Sequence, residues 1–146
     1  MIYYIADIHL RDESIFIKCK RPYNDIFEYE KELILRWNKK VTPFDTVYVL
    51  GDIALEGCTE AIDIFSKLNG HKHLIIGNHD ENLSEYIKRS GLFDSVNFIS
   101  LISDAGRKVC LCHYPLMDWM EFNRNGYHVY GHVHNKTAAN GEAYHQ

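Results

Sequence analysis

The sequence predicts an α/β fold in which two β-sheets pack face to face and helices lie outside them. Residues 1–91 alternate between short apolar runs and amphipathic stretches, which is typical of parallel strands joined by helices. Residues 95–130 contain strand-like runs separated by turns, which is typical of hairpins. Because 146 residues fit one domain and no linker is evident, we predict a single domain over residues 1–146.

The predicted strands are short apolar runs. They cover residues 2–6, 46–50 and 73–76 in the first half of the chain and 95–103, 107–112 and 127–130 in the second. The run at 46–50 is apolar on both faces, as expected of a strand in a covered sheet.

The clearest predicted helix covers residues 25–40. Its apolar side chains recur at helical spacing, at Ile26, Tyr29, Leu33 and Trp37. Either Asn24 or Asp25 can cap it. The remaining predictions are helices at 59–68 and 82–90, one helical turn at 116–122, and a loop at 11–24.

Composition and charge exclude several classes of protein. The chain is 46% hydrophobic and 25% charged, which is typical of a soluble globular domain. Its formal net charge of −4 does not fit a dedicated duplex-DNA binder. No apolar run approaches the roughly 20 residues that span a bilayer, and no signal peptide is recognisable. We therefore predict a cytoplasmic protein whose four cysteines are free thiols.

Five polar clusters stand where apolar runs end. They are Asp7 with His9, Gly51 with Asp52, Gly77 with Asn78, His79 and Asp80, then His113, and finally Gly131 with His132 and His134. Strands that end in such residues, with helices between them, bring the polar side chains to one edge of a sheet. Carboxylate, amide and imidazole donors suit manganese, iron, cobalt, nickel or zinc better than calcium. The clusters therefore predict a site for two metal ions.

Individual positions in these clusters suggest different roles. Asp52 stands alone after its strand, and its two oxygens can bridge two ions. The ring of His79 points away from the neighbouring Asn78 and is free to donate a proton to a leaving oxygen. Asp80 can either orient His79 or cap the helix that follows. The glycines precede ligands at sharp turns, where the backbone must come close to the ions.

Together the clusters resemble the motifs of the calcineurin-like metallophosphoesterase family, which read D-x-H, G-D, G-N-H-[DE], H and G-H-x-H. All five occur in this order between residues 7 and 134. Residues 21–23, 36–38 and 113–115 are also similar to the small bacterial and phage members. The resemblance implies a metallophosphoesterase-like β-sandwich of two sheets flanked by helices, and an enzyme that hydrolyses phosphomonoesters or phosphodiesters.

The resemblance also implies a role for each site residue. One ion is held by Asp7, His9 and His134, a second by Asn78, His113 and His132, and Asp52 bridges the two. A hydroxide between the metals attacks phosphorus, and His79 serves as general acid. Manganese is the expected ion, with iron, zinc, nickel and cobalt as alternatives. The expected substrate is a small phosphorylated molecule or a nucleotide.

Some alternatives stay open. Arg21 either contacts substrate phosphate or is a solvated loop charge. The aromatic side chains of Tyr114, Trp119 and Phe122 either pack in the core or stack on a substrate base. The competing function is a non-catalytic protein that uses the metal pocket to bind a nucleotide or phosphate.

The C-terminal segment departs from the family pattern. Family members usually continue through another apolar strand, and residues 136–146 supply almost no apolar side chains. The sequence therefore predicts a second sheet that lacks its C-terminal strand, with either an open edge that favours a homo-oligomer or a frayed tail.

Overall fold

The computed structural model describes residues 1–134, which form two sheets and surrounding helices. The first sheet contains β1 (Ile2–Ile5), β2 (Thr46–Val49), β3 (His71–Ile75) and β4 (Ser95–Asn97), in this spatial order and all parallel. The second contains β5 (Ile99–Asp104), β6 (Arg107–Cys112) and β7 (Tyr127–Val129). The prediction of an α/β fold with two sheets is confirmed.

The helices are short apart from one. They are α1 (Glu13–Lys18), α2 (Ile26–Lys40), α3 (Thr59–Ile62) and α4 (Ser84–Ser90), with 3-10 turns at Asp63–Lys67, Glu81–Leu83 and Phe122–Arg124. Helix α2 begins after Asp25, whose carboxylate accepts a hydrogen bond from the Glu28 N–H at 2.7 Å. Among residues 1–134, no helix combines the length and apolarity needed to cross a membrane.

Alternating side chains of the first sheet serve two cores. In β2, Val47 and Val49 face the helices, where they join a buried cluster with Trp37 and Phe65. Tyr48 and Leu50 face the other way and pack against the second sheet. The face of the first sheet that the helices leave uncovered is thus buried by the second sheet.

Three local predictions are wrong. The segment 11–24, predicted to be a loop, contains helix α1, which Asp12 caps. The helix was not predicted because its six residues are too few to show a helical period. The predicted strand 95–103 is two strands, and the chain crosses from the first sheet to the second at Phe98. Strand β7 is parallel to β6, so within residues 1–134 the one hairpin of the second sheet is that of β5 and β6.

Two helical predictions also need correction. Only the first turn of the segment 59–68 is α-helical, and it continues as the 3-10 turn Asp63–Lys67. The helical turn predicted at 116–122 is instead a 3-10 turn at Phe122–Arg124. The prediction of a missing C-terminal strand and of an open edge after His134 concerns residues outside the described range.

Candidate metal centre

The five polar clusters meet at the carboxyl end of the first sheet. The chain after β1 runs beside the chain after β2, since the Asp7 N–H donates to the Gly51 carbonyl at 3.1 Å and the His9 N–H to the Asp52 carbonyl at 2.9 Å. The His132 N–H in turn donates to the Asp7 carboxylate at 3.0 Å. Residues separated by more than a hundred positions in sequence are therefore adjacent.

Two groups of potential ligands share one carboxylate. The first is Asp7, His9, Asp52 and His134, and the second is Asp52, His113 and His132; within each group, one ligand atom per residue lies within 4.8 Å of the others. Asp52 Oδ2 lies 3.6 Å from His9 Nε2 and 3.4 Å from His113 Nε2. This single oxygen therefore stands between the two groups.

Asn78 adds a neutral oxygen to the second group. Its Oδ1 lies 3.2 Å from His113 Nε2 and 3.0 Å from His132 Nδ1. The structure thus brings together all seven residues predicted as metal ligands, in the two groups that the motifs imply.

A hydrogen bond to the Leu50 carbonyl orients the His113 ring. Its Nδ1 lies 2.7 Å from the Leu50 carbonyl oxygen, which can only accept, so Nδ1 carries the proton and Nε2 turns its lone pair to the site. Burial alone would lower the pKa of His113, but the Asp52 carboxylate and the Leu50 carbonyl raise it above its ordinary value.

His9 is a buried histidine whose ring nitrogens are not satisfied by hydrogen bonds within residues 1–134. It is 2% exposed, and among the described residues neither of its ring nitrogens has a hydrogen-bond partner. A buried polar atom without a partner costs about 1–3 kcal/mol, and coordination to a cation is one way to satisfy it. Together with the hard and borderline donors around it, this orphaned imidazole fits a divalent transition metal.

The backbone is strained at five of the seven potential ligands. The φ angles are 53° at Asp7, 50° at His9, 53° at Asp52, 71° at His132 and 50° at His134. Each such left-handed residue costs on the order of 1–3 kcal/mol, and strain of this kind concentrates at functional sites. The surrounding packing therefore holds these side chains in a geometry that the local sequence does not favour.

Two glycines allow the site to be this compact. Gly51 has a φ of +79°, and a Cβ there would lie 2.6 Å from His113 Nδ1. A Cβ on Gly77 would lie 2.6 Å from the Asp52 main-chain nitrogen. Since real Cβ atoms do not approach so closely, only glycine lets these loops pack against Asp52 and His113.

The fold and the ligand groups agree with comparisons to known proteins. A family model described as calcineurin-like phosphoesterase matches residues 1–129. This chain belongs to the calcineurin-like phosphoesterase family.

The relatives of this family member are themselves longer. An uncharacterized protein of Methanocaldococcus jannaschii is 32% identical over 135 residues, which are 91% of this chain and 69% of that protein. The gene 66 protein of Mycobacterium phage L5 is 31% identical over 81 residues, or 53% of this chain and 39% of its own.

A solved structure gives the same picture. The crystal structure of a protein of unknown function from Aquifex aeolicus aligns with a TM-score of 0.66 at 31% identity, and the match covers 85% of this chain and 66% of that one. The chain therefore spans about two thirds or less of the length of these three relatives.

Asp80, the last residue of the third phosphoesterase motif, has a different role from either one predicted. It is fully buried, and its carboxylate accepts hydrogen bonds from the main-chain N–H groups of Asp52 at 2.8 Å, Ile53 at 2.9 Å and Gly77 at 2.9 Å. Both oxygens are thus occupied by backbone groups rather than by the His79 ring, and no side-chain cap bond joins Asp80 to the following turn. Asp80 ties the second motif to the third.

His79 lies beside the first ligand group, and its role as a proton donor stays a prediction. Its ring is half-buried and lies edge-on to that of His9, with 5.1 Å between the ring centroids. It lines a cavity of about 300 Å³ together with Asp52, Asn78, His132 and His134. Its main-chain N–H donates to Asp52 Oδ1 at 3.0 Å, which leaves the imidazole free to face this cavity.

Arg21 lies beside the potential metal ligands, and its guanidinium group already contacts the protein. One guanidinium nitrogen donates to the Asp7 carbonyl at 2.6 Å, and the group stacks over the Tyr29 ring at 4.4 Å. It also lines a second cavity, of about 380 Å³, that reaches Asp7 and His134. The side chain therefore braces the first motif, and its role towards substrate stays a prediction.

The aromatic residues after His113 divide between packing and the site. Trp119 packs on His128 and Phe122, and its indole N–H donates to the Gly126 carbonyl at 3.0 Å. The Tyr114 ring is exposed and lies 4.8 Å from His132. Of the three aromatic side chains, Tyr114 is therefore the one placed beside the ligands.

Two residues that were not predicted as site residues contact the potential ligands. Cys19 Sγ lies 3.2 Å from His134 Nδ1, and Asp12 Oδ2 lies 3.5 Å from His9 Nδ1. Both fall in the segment that was predicted to be a loop. The available signal was Asp12 followed by Glu13 and Ser14, an N-cap with an acidic first turn.

The burial of His9 predicts how the metal-free protein responds to acid. Burial lowers the pKa of His9 from 6.5 to about 4, against the opposing Asp52 carboxylate. The pKa of His9 is lower in the folded than in the unfolded protein. The contribution of His9 to the free energy of unfolding is therefore fully present above pH 6.5 and is lost as the pH falls towards 4. We expect the melting temperature in EDTA to fall more steeply over this range in the wild type than in His9→Gln.

The comparison isolates His9 because both proteins keep Asp80. Burial raises the pKa of Asp80 to about 6. The stability that this pKa shift contributes is therefore present at low pH and is lost as the pH rises through about 6, which opposes the effect of His9. This opposing slope is common to the wild type and His9→Gln. Identical pH profiles would contradict the prediction.

Proposed function

We propose that this protein hydrolyses phosphoesters with two divalent transition-metal ions. The observation that carries the proposal is the position of Asp52 Oδ2, within 3.6 Å of His9 Nε2 and 3.4 Å of His113 Nε2. A carboxylate shared between two ligand groups is the arrangement used to hold two ions about 3.5–4 Å apart for in-line displacement at phosphorus. Membership of the calcineurin-like phosphoesterase family supports the reaction class.

The residues divide into those that would hold ions and those that act on substrate. Asp7, His9, Asp52 and His134 would hold one ion, and Asp52, Asn78, His113 and His132 the other. When bound, two divalent cations would lower the pKa of water in the cavity and leave positive charge that the two carboxylates do not cancel, which attracts phosphate.

His79 would protonate the leaving oxygen. It is the one imidazole of the third motif, it faces the cavity, and its backbone is fixed by Asp52. A donor of this kind contributes about 10²–10⁴-fold to the rate, provided that it reaches the oxygen directly or through one water. The cavity of about 300 Å³ suits a small phosphorylated molecule or the phosphate end of a nucleotide.

The proposal is tested by metal-dependent turnover. The protein is stripped with EDTA, restored with manganese, and assayed on p-nitrophenyl phosphate, bis-p-nitrophenyl phosphate and a panel of nucleotides. We expect hydrolysis of at least one ester with manganese and none after EDTA treatment. Iron, zinc, nickel and cobalt are compared in parallel.

Two exposed histidines provide a matched pair of variants. His132→Ala removes a potential ligand and should abolish most of the turnover. His71→Ala removes an imidazole that pairs with Asp94 at 2.8 Å and should leave turnover unchanged. A protein that binds manganese but hydrolyses no ester would instead support the alternative, a metal-dependent nucleotide- or phosphate-binding protein.

A further inference from the structure

We propose that Asp12 is a positioning residue that holds His9 as a metal ligand and His79 as the proton donor. The inference rests on the proposed function and extends it to a carboxylate outside the five motifs. Asp12 is 3% exposed, and its carboxylate lies beside His9 Nδ1.

The two oxygens of Asp12 have separate tasks. Oδ1 accepts from the Ser14 hydroxyl at 2.6 Å and from the Ile15 N–H at 3.1 Å, which caps helix α1. Oδ2 takes no part in the cap and lies 3.5 Å from His9 Nδ1. A carboxylate fixed on one side by a helix cap thus presents its other oxygen to a buried imidazole.

The position behind His9 is the one that a ligand-orienting group takes. His9 Nε2 faces Asp52, so Nδ1 is on the side of the ring away from the shared carboxylate. Ligating histidines usually donate their second N–H to a carboxylate or carbonyl, which fixes the tautomer and the ring. The Leu50 carbonyl does this for His113 at 2.7 Å. Asp12 Oδ2 lies 3.5 Å from His9 Nδ1 without a hydrogen bond in this structure, and it would accept one from the Nδ1–H when Nε2 binds an ion.

Asp12 also faces the predicted acid. One ligand atom from each of His9, Asp12 and His79 falls within 4.8 Å of the other two. The carboxylate of Asp80, one of whose two predicted roles was to orient His79, is fully occupied by three main-chain N–H groups. Among the described residues, Asp12 is therefore the carboxylate placed to orient His79.

The test is Asp12→Asn, which separates the cap from the charge. Asparagine caps helices about as well as aspartate, so α1 should persist while Oδ2 and its negative charge are lost. We expect manganese affinity to weaken about 10–100-fold, as for other changes behind a ligand. At saturating manganese, the loss of kcat should be larger for an alkyl phosphate than for p-nitrophenyl phosphate, because only the poor leaving group depends on the acid.

Two further variants complete the design. Ser14→Ala removes the hydroxyl bond to Oδ1 but keeps the carboxylate, and it should leave manganese affinity and the leaving-group ratio unchanged. Asp12→Ser also keeps a helix cap without a carboxylate. If Asp12→Asn folds poorly, Asp12→Ser takes its place, with the same expected loss of manganese affinity and the same change in the leaving-group ratio.

Several results would overturn the inference. Wild-type manganese affinity together with an unchanged leaving-group ratio would mean that Asp12 only caps α1. Loss of one bound ion per chain would mean that Asp12 is itself a ligand. If the wild type hydrolyses no ester, the proposed function fails, yet manganese titration of Asp12→Asn still decides whether Asp12 supports His9.

Discussion

Asp52→Asn is expected to lower kcat/KM for every hydrolysed ester by at least about 100-fold, since it changes the one residue shared by both ligand groups. Asp52 is 2% exposed, and its Oδ2 faces His9 and His113 while its Oδ1 accepts the His79 N–H. Burial would raise the pKa of Asp52, but His113 and the His79 N–H lower it, so the buried group is a carboxylate. An amide of the same shape cannot supply that charge to two cations.

The measurement combines turnover with metal content. Elemental analysis of Asp52→Asn after manganese loading should show fewer bound ions than in the wild type. Asp63→Asn is the matched control, because its carboxylate is exposed, accepts a hydrogen bond from the Tyr86 hydroxyl and belongs to neither ligand group. Full manganese occupancy and wild-type turnover in Asp52→Asn would rule out a bridging role for this residue.

Asp80→Asn is expected to have the largest effect on stability. The carboxylate accepts three main-chain hydrogen bonds in a fully buried position, and hydrogen bonds to a charged group contribute about 1.5–3 kcal/mol each. An asparagine turns an NH₂ group towards N–H donors and loses at least one of these bonds. We expect the free energy of unfolding to fall by about 2–4 kcal/mol.

Chemical denaturation in EDTA measures this loss without a contribution from bound ions. Asp25→Asn makes the same substitution at the cap of α2, where asparagine serves as well as aspartate, and should change stability by less than about 0.5 kcal/mol. Since Asp80 also fixes Asp52 and Gly77, turnover should fall in the variant even under conditions where it is folded. A variant as stable as the wild type would show that the three bonds are replaced.

Some of the fold was predictable because its signals are local. Helix α2 is fifteen residues long, with an apolar stripe and an aspartate cap that are both visible in the sequence. It begins and ends within one residue of the prediction. Helix α1 has six residues, too few to show a period, and was missed. No glycine or proline in the sequence marks the crossing from β4 to β5 at Phe98. The two strands differ in their partners, since β4 pairs with β3 and β5 pairs with β6.

The sequence by itself determined which residues form the candidate site, since each ligand follows a strand end and each motif is a few residues long. The tertiary structure alone decided what stands behind them. Asp80 reaches Asp52 across 28 positions, and His113 reaches the Leu50 carbonyl across 63. Such partners depend on how parallel strands align at one edge of a sheet, and that register is set by packing on both faces rather than by neighbours in the chain.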